Sequence, residues 1–86
     1  MNKHRFLAKI QNNNKNVRYN DFITLIESFG FRRVRGKGSH NVYECIGVPE
    51  MINIQNDNGQ VKPYKVRQFL SILERYNLKM EGKDNE

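Results

Sequence analysis

The stretch Phe31-Arg32-Arg33-Val34-Arg35-Gly36-Lys37-Gly38-Ser39-His40-Asn41-Val42-Tyr43-Glu44-Cys45-Ile46 decides the fold. Residues 31 to 35 and 40 to 46 are rich in strand formers, and Gly36, Lys37, Gly38 and Ser39 lie between them. Two such runs around a glycine-rich break predict a β-hairpin. Upstream, Asn20 is a good N-cap residue, and Phe22, Leu25, Ile26 and Phe29 then recur at helical spacing before Gly30. That pattern predicts a helix with one apolar face and a glycine stop.

Downstream, Met51 to Gln55 predicts a third strand. Ile52 and Ile54 alternate there with Met51, Asn53 and Gln55, so one face of the sheet is buried and the other is wetter. Asn56-Asp57-Asn58-Gly59 reads as a turn. Pro63 suits the first turn of a last helix, which continues through Val66, Phe69, Leu70 and Leu73. The fold class is therefore α+β, in the order α-β-β-β-α, with both helices on one face of a three-stranded antiparallel sheet. Residues 1 to 16 read as an extension: Phe6, Leu7 and Ile10 line one side of a short helix over 3 to 11, and Asn12 to Asn16 form a polar linker. The domain itself is expected over 17 to 80, followed by a polar tail over 81 to 86.

A chain of 86 residues is the size of one domain and buries a thin core, so chemistry is expected on an open surface. Fifteen Lys and Arg against nine Asp and Glu leave a net charge of +6. The isoelectric point is near 9.7, which favours a polyanionic partner. Nucleic acid and membrane headgroups both qualify. No run reaches the length of a membrane span and no apolar leader opens the chain, so a cytoplasmic protein is expected, with no membrane partner. The single cysteine, Cys45, has no internal disulfide partner and no paired zinc spacing, and is expected as a small buried strand residue.

Lys62, Lys65 and Arg67 gather at the start of the last helix, where cations oppose the helix dipole. Phosphate binding offers another reason for Lys62 and Lys65, since a helix N-terminus already supplies N–H donors. Arg32, Arg33, Arg35 and Lys37 are either an ordinary solvated hairpin or an RNA-binding surface, and the net charge favours RNA. Tyr43 and Tyr64 can stack on bases or fill the edges of sheet and helix. Spacing alone makes His40 a surface histidine beside a turn, and His4 a solvated one.

Three segments carry a family resemblance: Glu27-Ser28-Phe29-Gly30-Phe31, then Gly36-Lys37-Gly38-Ser39-His40-Asn41-Val42-Tyr43, then Lys62-Pro63-Tyr64-Lys65-Val66-Arg67-Gln68-Phe69-Leu70. A helix ending in Gly-Phe, a strand, and Gly-Ser-His opening the next strand resemble the HicA toxins of bacterial toxin-antitoxin pairs, over residues 17 to 80. The resemblance implies a fold like a double-stranded-RNA-binding domain, messenger RNA endonuclease activity, and inhibition by a HicB-like antitoxin. It also implies that His40 is the catalytic residue. Many members carry Pro-x-His near the third strand, whereas this chain has Pro49-Glu50-Met51, so a pair of histidines acting as acid and base is not available.

Cutting RNA without a metal needs a base for the 2′-hydroxyl proton, positive charge on the phosphate and help for the leaving oxygen. A histidine can supply the first, because its ordinary titration lies near neutrality. Gly36 and Gly38 let backbone N–H groups approach a phosphate, and Lys37, Arg35 or Arg33 can stabilise its added charge. Ser39 has no visible histidine-carboxylate relay and serves as a positioning or phosphate-binding residue. No cofactor and no metal are expected, since Glu44, Glu50 and Asp57 fall in separate elements. The RNA-binding set is thus Arg33, Arg35, Lys37, Gly38, Ser39, Lys62, Lys65 and Arg67, around a catalytic His40. The competing reading is a non-catalytic RNA-binding module of the same fold.

Overall fold

The computed structural model describes residues 1 to 81. It is a small α+β domain of three helices and a three-stranded antiparallel sheet, with one further pair of two-residue strands. In chain order these are α1 (Lys3–Asn12), β1 (Val17–Arg18), α2 (Tyr19–Ser28), β2 (Arg32–Lys37), β3 (His40–Cys45), β4 (Val48–Gln55), β5 (Gln60–Val61) and α3 (Pro63–Arg75). The sheet order is β2-β3-β4, so the strand that opens with His40 is central. Except for Glu81, the polar tail expected over 81 to 86 lies outside the described residues.

The core forms where one face of the sheet meets the helices. Tyr43, Ile52 and Ile54 are buried from β3 and β4, against Phe22, Leu25 and Ile26 of α2 and Val66, Phe69, Ile72 and Leu73 of α3. Phe69 sits at its centre, edge-to-face with Phe22, Phe29 and Phe31 at centroid distances of 5.3, 5.7 and 5.9 Å. Such pairs prefer this geometry because the positive ring edge meets the negative ring face. Residues 1 to 16 also contribute, since Ile10 is buried and Phe6 and Leu7 pack against the same core.

The asparagine-rich segment after α1 is built from local turn chemistry. Asn14 Nδ2 donates to the Ile10 carbonyl, the Lys15 N–H donates to Asn13 Oδ1, and Asn16 takes a positive φ of 59°. Short amide side chains close such turns on their own backbone, which is why asparagine suits them. The chain then enters β1, which pairs antiparallel with β5 through Val17↔Val61 and Arg18↔Gln60. These two short strands carry no periodic signal of their own, and the sequence reading contains neither.

The second helix starts two residues earlier than an Asn20 cap would set. Its N-cap is Arg18 and no side chain caps it. The reason is tertiary: the Tyr19 N–H donates to the Gly59 carbonyl at 2.8 Å, extending the β1–β5 pairing into the first turn. The helix stops as expected. Gly30 has φ +95°, its N–H donates to Glu27 O, and the Phe31 N–H donates to Ile26 O. This is the Schellman arrangement. The third helix ends the same way with Asn77 at φ 52°, Asn77 N–H to Glu74 O and Leu78 N–H to Leu73 O.

The hairpin is tighter than the four-residue break suggests. Gly36 and Lys37 belong to β2, Lys37 pairs with His40, and only Gly38 and Ser39 form the loop. Gly38 has φ +63° while Ser39 keeps a negative φ, the pattern of a type II′ turn with glycine first. At the same end of the sheet, just beyond Gln55, the partner of His40, Asn58 and Gly59 both take positive φ. Asp57 and Gln60 exchange N–H···O bonds of 2.9 and 3.0 Å across them, as in a type I′ turn.

Candidate nucleic-acid interface

Side chains alternate across β3, so Asn41 and Tyr43 point to the helices while His40, Val42 and Glu44 point to the opposite face. The register with β4 places Gln55 beside His40 and Asn53 beside Val42. Asn53 and Gln55 are therefore also on the outer face, consistent with their exposure and with burial of Ile52 and Ile54. On the other side, the register with β2 shifts between Arg33, paired with Tyr43, and Arg35, paired with Val42. Val34 is the extra residue of a bulge, and its effect is to separate two arginines that simple alternation would put together. Arg35 joins the His40 face together with Lys37. Arg33 joins the helix-facing side, where its Nε donates to Asn41 Oδ1 at 2.7 Å.

Asn41 in turn donates from Nδ2 to the Tyr19 hydroxyl at 2.7 Å, linking the hairpin to the start of α2. Gly36 lies under this link: a Cβ there would run into Asn41 Oδ1 and the Arg33 guanidinium. Below them Tyr43 is buried, so it fills the core and offers no stacking surface. That burial, with Tyr19 beside it, raises its phenol above the ordinary range.

On the outer face, His40, Asn53, Gln55, Lys62, Tyr64 and Lys65 line one open pocket of about 160 Å³. Strand β3 supplies the histidine, β4 the two amides, and the N-terminal end of α3 the lysines and tyrosine. The His40 imidazole makes no hydrogen bond or ion pair among the described residues, and His40 is exposed. Lys62 Nζ lies 3.7 Å from Asp57 Oδ2, with both side chains about half exposed, an ion pair that contributes little in water. Lys65 donates to Gln68 Oε1 at 3.1 Å, and its Nζ lies 5.8 Å from the Tyr64 ring centroid. Partial burial pulls its ammonium below the ordinary lysine range.

The structure thus brings three of the expected residues, His40, Lys62 and Lys65, around one pocket. Lys37 is the cross-strand neighbour of His40, with Gly38 and Ser39 in the loop between them. Arg67 is exposed on α3 and does not line the pocket. Asn53, Gln55 and Tyr64 line it as well. The alternation of Met51 to Gln55 marks both amides as outward-facing, but only the hairpin register puts them next to His40. Cys45 is half-buried rather than fully buried, and burial raises its thiol above the ordinary range. Among the described residues no three His, Cys, Asp or Glu side chains converge as a metal site would require. No helix of the described residues is long and apolar enough to cross a membrane.

No protein-family model matches the chain, and comparisons with curated proteins and with solved structures found no match either.

Proposed function

We propose that this chain is a metal-independent endoribonuclease of the HicA type, the toxin of a bacterial pair, acting on messenger RNA in the cytoplasm. In this reading the domain works as a double-stranded-RNA-binding-like scaffold, and a HicB-like antitoxin restrains it by covering the outer sheet face. The observation that carries the proposal is the pocket in which an unengaged His40 meets Lys62 and Lys65, residues far apart in sequence. A general base beside two cations is the minimum equipment for cleaving a phosphodiester through its 2′-hydroxyl.

His40 takes the proton of the 2′-hydroxyl as that oxygen bonds to the neighbouring phosphorus. The bond from phosphorus to the 5′-oxygen breaks, leaving a 2′,3′-cyclic phosphate on one fragment. The departing 5′-oxygen takes a proton from water or from a lysine of the pocket. Lys62 and Lys65 stabilise the charge that builds on the non-bridging oxygens, aided by Lys37 and Arg35 from the hairpin. Arg33 has a different part, holding Asn41 on the far side of the strand.

Expression in a bacterial host tests this reading. The wild-type chain should arrest growth and deplete messenger RNA, His40→Ala should do neither, and co-expression of a HicB-like protein should relieve the arrest. Equal effects of wild type and His40→Ala would favour a module that binds RNA without cutting it.

A further inference from the structure

The nuclease chemistry uses His40 and the cations of the pocket but gives no part to the rest of its lining. Tyr64 is a large aromatic side chain left 56% exposed at the pocket wall. Asn53 and Gln55 stand beside it on β4, and their side-chain amides make no hydrogen bond among the described residues. An exposed ring, a cation near it and two free amides are what an unstacked base requires. The ring provides a face for stacking, and each amide offers a donor and an acceptor to a base edge. Bases inside an A-form duplex present neither their faces nor their Watson–Crick edges.

We infer that Tyr64, Asn53 and Gln55 form a nucleotide subsite for single-stranded RNA, in which one base next to the scissile phosphate stacks on Tyr64 and is read by the two amides. Cleavage chemistry points the same way. Attack by the 2′-oxygen requires it to lie in line with the departing 5′-oxygen, and a regular A-form helix holds the two out of line. Drawing one base out of the strand onto Tyr64 frees the backbone to reach that alignment, a positioning effect rather than a chemical one. The inference rests on the nuclease reading for the place of the cut, but the binding it predicts needs no cleavage.

The test uses the full chain and short 2′-O-methylated RNA, which lacks the attacking hydroxyl, measured by fluorescence anisotropy. The wild-type chain should bind the single strand more tightly than the same sequence in a duplex. Tyr64→Ala should weaken single-strand binding by about 5-fold to 150-fold, the range of one lost base stack, while Tyr64→Phe retains it. Asn53→Ala and Gln55→Ala should flatten the discrimination among the four homopolymers. Tyr64 is exposed, so its variants should melt with the wild type, and that measurement separates lost stacking from lost folding.

Duplex bound as tightly as single strand, or Tyr64→Ala binding like wild type, overturns the subsite. If that happens while the wild-type chain still cuts RNA in a His40-dependent way, the nuclease reading stands without it. Should Tyr64→Ala lose binding while His40→Ala cuts RNA as well as wild type, the nuclease reading falls and the subsite stands. Absence of RNA binding by the wild-type chain removes both.

Discussion

Asn41 and His40 are neighbours on β3 that face opposite sides of the sheet. Asn41 ties Arg33 and Tyr19 together under the hairpin, and so holds the strand whose first residue is His40. Replacing Asn41 with Ala removes two hydrogen bonds, one of them to a half-buried hydroxyl. A net loss of about 1 kcal/mol is expected. For a domain of this size that lowers the melting temperature by about 4 to 8 °C, readable by circular dichroism. Glu50 is the other residue with a defined electrostatic setting: the Tyr76 hydroxyl donates to its Oε1 at 2.6 Å, and the Arg75 guanidinium pairs with its Oε2. The Tyr76 hydrogen bond, with help from Arg75, holds its carboxyl below the usual range. A carboxyl lowered in the folded state stabilises the fold above its unfolded pKa, and that contribution disappears as pH falls through the folded value. Wild type and Glu50→Gln should therefore differ in melting temperature above about pH 4.5 and converge as the pH falls below it, the wild type losing stability that Glu50→Gln never had.

At the scale of elements, the helix α1 is the segment whose place the sequence left least defined. Its amphipathic side was visible in Phe6, Leu7 and Ile10, but nothing in a short periodic run tells whether the run docks. In the structure Ile10 is 1% exposed within the common core. Ile10→Ala should accordingly cost about 2 to 5 kcal/mol, measured as a lower denaturant midpoint for the whole domain. A loss confined to α1, with the remainder melting unchanged, would show that residues 1 to 16 are an appendage. The α2 stop makes a second prediction. Gly30 has φ +95°, where a Cβ is strained, so Gly30→Ala should destabilise by roughly 1 kcal/mol or more. The helix periods, the Gly30 stop of α2 and the alternation of β4 were all legible because they are local patterns. The pairing of β1 with β5, the true start of α2 and the bulge at Val34 were not. Each is settled by a partner distant in sequence, such as Gly59 for Tyr19 and Tyr43 for Arg33.

For the molecule as a whole, the same division explains how much of the candidate site could be read. His40, Lys62 and Lys65 were each singled out from the chain, two of them by charge and place on a helix and the first by resemblance. Their meeting required β3 to lie next to β4 and α3 to begin beside β4, which no spacing encodes. The net charge of +6 adds a property of the whole surface. If Arg35, Lys37, Lys62 and Lys65 all contact phosphates of a single strand, the logarithm of the binding constant should fall with the logarithm of salt concentration with a slope of about −3. Lys62→Ala should reduce that slope by about 0.7 and weaken binding to every sequence alike. A slope unchanged by that substitution would remove Lys62 from the interface.

Cleavage of labelled single-stranded RNA by the purified chain in EDTA, wild type against His40→Ala, decides whether His40 is the base of a metal-independent nuclease. The wild type should keep cutting under chelation and leave 2′,3′-cyclic phosphate ends. The rate for His40→Ala should be lower by about 100-fold or more, the usual effect of a positioned proton-transfer group. Equal rates for the two proteins, or cutting that stops in EDTA and returns with magnesium, would rule out that role.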